Sequence, residues 1–314
     1  MMKKIATREA YGNTLAEIGK QNENIVVLDA DLSKSTKTAV FKGECPERFL
    51  NMGIAEGNMM TVAAGLATCG KIPFASTFAI FAAGRAFEQI RNSIAYPKLN
   101  VKVCATHAGI TVGEDGASHQ AIEDISLMRS IPNMVVICPS DAVEASAAVK
   151  AVAEYNGPCY VRLGRLGVNV INDNQEYKFE MGKAVKLREG NEVAIIATGM
   201  MVDAALEAYN ILAEEGIKAR VINIHTIKPI DEDAIAAAAR DCGVIVTAEE
   251  HSVIGGLGSA VAEVVTSTYP VPVLRVGVKD TFGESGSPVE LLEKYGLTAD
   301  EIVKAVKKGL ELRK

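Results

Sequence analysis

Short, continuous apolar runs alternate along the chain with longer stretches in which small and apolar residues recur at helical spacing. The runs are "IVVLDA", "IPFAST", "NVKVCAT", "MVVICPS" and "CYVRLG". Between them stand "TREAYGNTLAEIGK", "EGNMMTVAAGLATC", "AAGRAFEQIRNSI" and "SDAVEASAAVKAVAE", which read as helices. The last opens with Asp141 and Glu144 at the spacing of a capping box. Strands apolar on both faces and separated by helices predict a parallel sheet covered on both sides. From Gly167 to Glu192 the rhythm breaks into a polar, Asn-rich, turn-prone segment that reads as a linker. A second alternating unit follows, with "EVAIIATG", "KARVINI", "GVIVTAEE" and "VPVLRVGV" as its strands. "TADEIVKAVKKGLELRK" predicts a C-terminal amphipathic helix capped by Thr298. The expected class is α/β with two doubly wound domains: 1–168, a linker over 169–190, and a smaller domain over 191–314.

Composition narrows the function more than the fold. A length of 314 residues suits two domains. The net charge is −6, Lys and Arg are scattered, and Trp is absent, which argues against a nucleic-acid surface. None of the six Cys residues forms a CxxC pair, so buried free thiols in a reducing, cytoplasmic setting are expected. The four His residues show no metal-ligand spacing, so no metal site is expected on this chain. "MMKKIATREAY" lacks the apolar core of a secretory signal. The longer apolar stretches are broken by Gly, and no membrane span is expected. A small anionic substrate remains compatible with the acidic balance if positive charge is gathered locally.

Ligands of open α/β sheets collect at the carboxyl ends of strands. "DADLSKS", "STF", "THAG" and "RLGR" all stand at such ends and are expected to converge on one crevice. "THAGITVGEDGASHQ" holds His107, Glu114, Asp115 and His119 among glycines. Imidazoles beside carboxylates exchange protons near neutral pH or contact anions; the alternative is a surface loop whose His residues cap helices. Arg162 and Arg165 in "VRLGRLG" carry donor forks suited to phosphate or carboxylate, and equally to a surface acid. Arg8 in "ATREAY" has less claim by itself. Glu56 in "RFLNMGIAEGNMM" sits among Met, Ile, Ala and Gly, where a buried carboxylate needs a partner; at a helix start it can also face water. Phe78 and Phe81 are core residues at helical spacing or a flat wall for a planar ring. "GGLGSAVAEV" matches part of a dinucleotide fingerprint, but Val261 stands where the third Gly belongs and no acid follows at the usual distance. A close helix–sheet contact explains those glycines more simply.

The order "NMGIAEGNM", "FASTFAIF", "THAGITVGEDGASHQAIEDISLMRSIPNM" and "RLGR" closely resembles the second half of transketolase. "INIHTIKPID" and "EEHSVIGGLGSAVAEV" resemble that family's C-terminal domain, so the resemblance covers essentially the whole chain. It implies a mostly parallel pyrimidine-binding domain for thiamine diphosphate, followed by a smaller transketolase C-terminal-like domain. In the family, a carboxylic acid hydrogen-bonded to the aminopyrimidine makes the cofactor's own imino nitrogen the base at C2. Glu56 takes that place, and burial would hold it as the protonated donor. The resemblance puts Phe78, Phe81 and Ile54 at the pyrimidine and Asp31 near the thiazolium. It gives Arg8, Ser35, His107 and Arg165 to the sugar phosphate and Asp115 to a donor hydroxyl. His119 falls to the reacting C1 oxygen, so that Glu56 and His119 form the catalytic pair.

Two departures matter. A family Tyr beyond the Phe pair is missing, because Ala82, Ala83 and Gly84 follow Phe81 directly. The GDG motif with a later Asn, which holds the diphosphate and metal, is also absent. The chain therefore resembles the C-terminal subunit of a split transketolase, transferring a two-carbon ketol unit between sugar phosphates. That implies thiamine diphosphate with Mg2+ (or Ca2+ or Mn2+) held mainly by an N-terminal partner subunit carrying the GDG motif. An α2β2 assembly, with the active site between chains, is expected, and a single chain should be inactive. The rival 1-deoxy-xylulose-5-phosphate synthase shares the acid, the STF and the GxDGxxHQ, and Arg85 is similar to one of its Arg residues. The β subunit of a 2-oxo acid dehydrogenase shares the domain plan without the sugar-phosphate cluster. A non-catalytic assembly subunit is the reading from a different class.

Overall fold

The computed structural model describes residues 4–172 and 177–313. Its strands in chain order are β1 (Lys4–Ala6), β2 (Ile25–Asp29), β3 (Phe49–Asn51), β4 (Ile72–Phe78), β5 (Lys102–Thr106), β6 (Val135–Ile137) and β7 (Cys159–Arg162). They continue with β8 (Gly167–Asn169), β9 (Val185–Arg188), β10 (Val193–Ala197), β11 (Ala219–Asn223), β12 (Thr226–Lys228), β13 (Ile245–Ser252) and β14 (Val273–Val278). One sheet runs β12-β6-β7-β5-β4-β2-β3 and the other β14-β13-β10-β11-β9. Every pairing within them is parallel except the edges β12 and β9. The five apolar runs of the first unit become β2, β4, β5, β6 and β7. β2, β5 and β7 are buried along their whole length, as strands covered by helices on both faces must be.

Helix ends follow their local chemistry. Asp141 caps Ala142–Glu154 by accepting the Glu144 amide at 2.8 Å. The Glu144 carboxylate reaches back to the Ser140 amide at 2.6 Å, one residue beyond the cap itself. Thr298 caps the terminal helix Ala299–Leu312.

Pairing between distant segments adds what periodicity does not reveal. The polar segment read as a linker contains β8, which pairs with β1, and β9, which edges the second sheet. β12, just beyond β11, crosses back to edge the first sheet beside β6. The two units are thus interlocked, and one apolar cluster runs from Met59 and Ile90 through Met128 and Val136 to Ile227 and Leu257. "AAGRAFEQIRNSI" is not one regular helix. It forms π-helical turns at Phe81–Arg85 and Ile90–Ala95 around a short α-turn, Phe87–Gln89. Such turns carry an extra residue and rotate the side chains that follow.

Candidate active site

β2, β4, β5 and β7 end side by side, and each end carries chemistry. At β2, the buried Asp29 accepts from the Leu32 amide (2.6 Å) and from the Thr36 (2.6 Å) and Thr38 (2.8 Å) hydroxyls. This fixes the loop "DADLSKST" and the half-buried Ser35 within it. Asp31 follows with a left-handed backbone (φ 64°) and accepts from Asn51 Nδ2 at 2.8 Å. His107, directly after β5, is also left-handed (φ 56°). Non-glycine residues held there carry strain and concentrate at functional sites.

The ring side chains are in register. Phe78 stacks on His107 with centroids 3.8 Å apart. On its other neighbour, Phe81, the centroids are 5.8 Å apart and the planes 16° from parallel. His119 meets Phe81 edge-on at 5.4 Å and Phe78 at 6.4 Å. The two Phe residues therefore form a wall flanked by imidazoles, in which Phe78 is also a buried core residue.

Positive charge gathers beside this wall. Arg8 Nη1 donates to the Ser35 carbonyl at 2.8 Å and stands 3.1 Å from His107 Nε2. Burial, then Arg165, lowers Arg8 below its ordinary value, which places the two guanidiniums in mutual range. Burial, then Arg8 and Arg165, pushes His107 down to about 3. At neutral pH it is an uncharged imidazole, fit to hydrogen-bond a ligand while the arginines supply the charge. Arg165 donates to the Val112 carbonyl and pairs with Glu114 (3.4 Å) and Asp115 (3.7 Å). Arg162 is different. It is buried against Asp124 at 2.9 Å and braces the sheet instead of facing the crevice.

Glu56 opens the helix Glu56–Thr68, where a carboxylate is favoured by the helix dipole, with Met59 and Met60 fully buried on its face. The side chain is only 6% exposed, and its partner is Arg85 Nη1 at 3.2 Å. The guanidinium also lies 4.1 Å from the Phe81 ring centre. Burial by itself is thus not the whole environment of this acid. The π-helical turn aims Arg85 at Glu56, and no periodicity rule reveals that. Ile54, 77% exposed, does not shield Glu56 in the single chain.

Contacts thus bring together Glu56, Phe78, Phe81, His107, His119, Arg8, Ser35, Arg165 and Asp115, with Asp31 and Ile54 on the adjoining strand-end loops. The glycine turn of the second unit is not such a place. Glu249 accepts from the Leu257 (2.7 Å) and Gly258 (2.8 Å) amides, so the chain's own carboxylate fills that helix N-terminus. A Cβ on Gly256 would lie 2.0 Å from Glu249 Oε2, and one on Gly258 would lie 2.8 Å from Thr247 Oγ1. The glycines are there for close packing.

The fold defines an α/β protein of two mostly parallel sheets, with the clustered side chains at the strand ends of the first. Family models for the transketolase pyrimidine-binding domain and the transketolase C-terminal domain match residues 3–169 and 182–302. The chain belongs to the transketolase family, as a C-terminal section of it. It is 56% identical to a putative transketolase C-terminal section of Methanocaldococcus jannaschii, over 95% of this chain and 94% of that one. It is 47% identical to a 6-deoxy-6-sulfo-D-fructose transketolase subunit of a Clostridium species, over 95% and 92% of the two chains. A solved structure titled as the inactive β4 tetramer of a split-gene transketolase superposes with a TM-score of 0.93 at 61% identity, covering 99% of this chain and all of that one. The family implies thiamine diphosphate with a divalent metal.

Proposed function

We propose that this chain supplies the aminopyrimidine and sugar-phosphate side of a two-chain transketolase, whose diphosphate and metal side lies on an N-terminal partner. One observation carries the reading: a continuous series of contacts runs from Glu56 through Arg85, Phe81 and Phe78 to His107, Arg8 and Ser35. An acid at one end of a flat aromatic wall, with cations at the other, fits a planar aminopyrimidine beside a phosphorylated sugar. Thiamine diphosphate, when bound, supplies the carbon nucleophile for two-carbon transfer. Glu56 holds a proton toward a ring nitrogen. Arg85, 55% exposed and tied only at its tip, first swings away from the carboxylate. Phe78 and Phe81 orient the ring and exclude water from it. Arg8 and Arg165 hold the phosphate, with Ser35 beside them. The uncharged His107 and the half-buried His119 hydrogen-bond the sugar near its reacting end, and Asp115 takes a hydroxyl. Asp31 faces the cofactor's second ring, and Ile54 is covered when the partner closes the site.

The partner carries the GDG motif and most of the Mg2+ ligands, in an α2β2 assembly. The near full-length match to a transketolase C-terminal section supports the division. So does the solved relative's title, which pairs a split gene with an inactive β4 form. A cytoplasmic setting agrees with the six free thiols, five of them buried. No helix of the described residues is long and apolar enough to cross a membrane. The domain division proposed is a pyrimidine unit to residue 168, a connecting segment from residue 169, and a C-terminal unit whose sheet already includes β9 at Val185–Arg188.

The deciding experiment is reconstitution with the GDG-bearing chain, thiamine diphosphate and Mg2+, offering xylulose 5-phosphate or pyruvate as donor. Ketol transfer from the sugar and none from pyruvate is the expected result. Turnover of pyruvate alone would assign the chain to one of the two rival enzyme classes.

A further inference from the structure

The second unit grips the loop that carries His107 and His119. His107 and His119 bracket that loop, whose middle is the tight turn Ile110–Asp115. Glu250, on β13 of the second unit, accepts the Thr111 amide at 2.8 Å through Oε1. Gly109 makes this approach possible. Its φ is 82°, and a Cβ there would lie 2.2 Å from the Glu250 carboxyl. Arg162, at the end of β7, donates to the Glu250 carbonyl at 2.8 Å and to Asp124 at 2.9 Å, so Glu250 is fixed from behind.

The far half of the loop is held too. Ser285 Oγ donates to the Glu114 carbonyl at 2.6 Å, and Gln120 Nε2 donates to the Glu284 carbonyl at 2.9 Å. Burial raises Glu250 above its ordinary value, against the pull of Arg162. A neutral acceptor would meet the Thr111 amide with less desolvation.

We propose that Glu250 is a positioning residue for sugar-phosphate binding: it locks the turn after His107 so that His107, Asp115 and His119 keep one geometry, and it thereby gives the C-terminal unit a role in substrate recognition. The proposal rests on the transketolase reading of the crevice and adds to it a residue remote in sequence. Displacement of a binding group by about 1 Å is enough to cost on the order of a hundredfold, so loosening the turn should be felt in substrate binding. The cofactor side should be affected less, since Glu56, Phe78 and Phe81 lie on other elements and meet the loop through the rings of His107 and His119.

The test has two arms. Hydrogen exchange on the chain by itself reads the lock without reference to activity. Glu250→Ala should expose the amides of residues 109–115 to fast exchange while β2, β4 and β5 stay protected. Glu250→Gln, which keeps a carbonyl oxygen for the Thr111 amide, should restore protection. In the reconstituted enzyme, Glu250→Ala should raise KM for the donor sugar phosphate about tenfold or more. Cofactor affinity should stay within about twofold and kcat should fall less than KM rises, with Glu250→Gln close to wild type. Unchanged exchange at 109–115, an unchanged KM, or a parallel loss of cofactor affinity, kcat and KM in Glu250→Ala overturns the proposal. If the wild-type pair transfers no ketol unit at all, the transketolase reading fails, and the exchange arm still decides whether Glu250 locks the turn.

Discussion

The carboxyl ends of β2, β4, β5 and β7 in the first unit, and of β13 in the second, are equivalent positions in open parallel sheets, where ligands collect. In the first unit those ends carry a left-handed Asp31 and His107 and the guanidinium of Arg165, with the buried Glu56 and Arg8 supplied by neighbouring helices. In the second, the helix N-terminus after β13 is closed by Glu249, whose carboxylate takes the two amides an anion would have used. Position in the fold thus offers a site, and the side chains decide whether the chain leaves it open or fills it. The neighbouring Glu250 shows a third use, in which the same strand end holds a loop of the other unit.

The comparison breaks most visibly at Glu56. Glu56→Gln in the reconstituted enzyme should keep cofactor binding and lose transfer by about 10²- to 10⁴-fold, the range of a lost proton-transfer group. Titration of cofactor binding together with steady-state rates checks both halves; full activity would remove Glu56 from the chemistry. Next in size are the cations. Arg8→Ala or Arg165→Ala should each raise KM for a phosphorylated donor by about tenfold to a hundredfold, as expected for hydrogen bonds to charged groups of about 1.5–3 kcal/mol. A dephosphorylated donor should show little of that change.

Much of this contrast is legible in the sequence, and the remainder is not for definite physical reasons. β2, β5 and β7 announce themselves because strands buried on both faces must be apolar throughout. The three-residue strands β3 and β12 have no periodicity to read and exist only through their partners. Phe78, His107, His119 and Arg165 can be placed from strand ends and motif order. Arg85 stands out in the sequence only through a likeness to a rival enzyme, because a π-helical turn sets where it points. Glu250 meets Thr111 across 139 residues, a contact that no local pattern encodes.

In the second unit the contrast sharpens. Glu249→Ala should lower stability by about 2–6 kcal/mol, about 1–3 kcal/mol for each of the two buried amides left unpaired, while transfer by the folded, reconstituted enzyme stays unchanged. Chemical denaturation and rate measurements separate the two. The remaining effect is on pH. With His107 at about 3 in the folded chain and near 6.5 when unfolded, the unfolded chain binds more protons between those values. His107 therefore lets stability remain full above pH 6.5 and erodes it as pH falls toward 3. His107→Asn should flatten that part of the slope in melting curves, and an identical slope would contradict the shift.

The central claim is that this chain holds half of an active site. It is tested most directly by measuring ketol transfer with cofactor and Mg2+ for the chain alone and for the chain mixed with its GDG-bearing partner. The account predicts no turnover alone and full turnover for the pair. A normal rate from the single chain would contradict it.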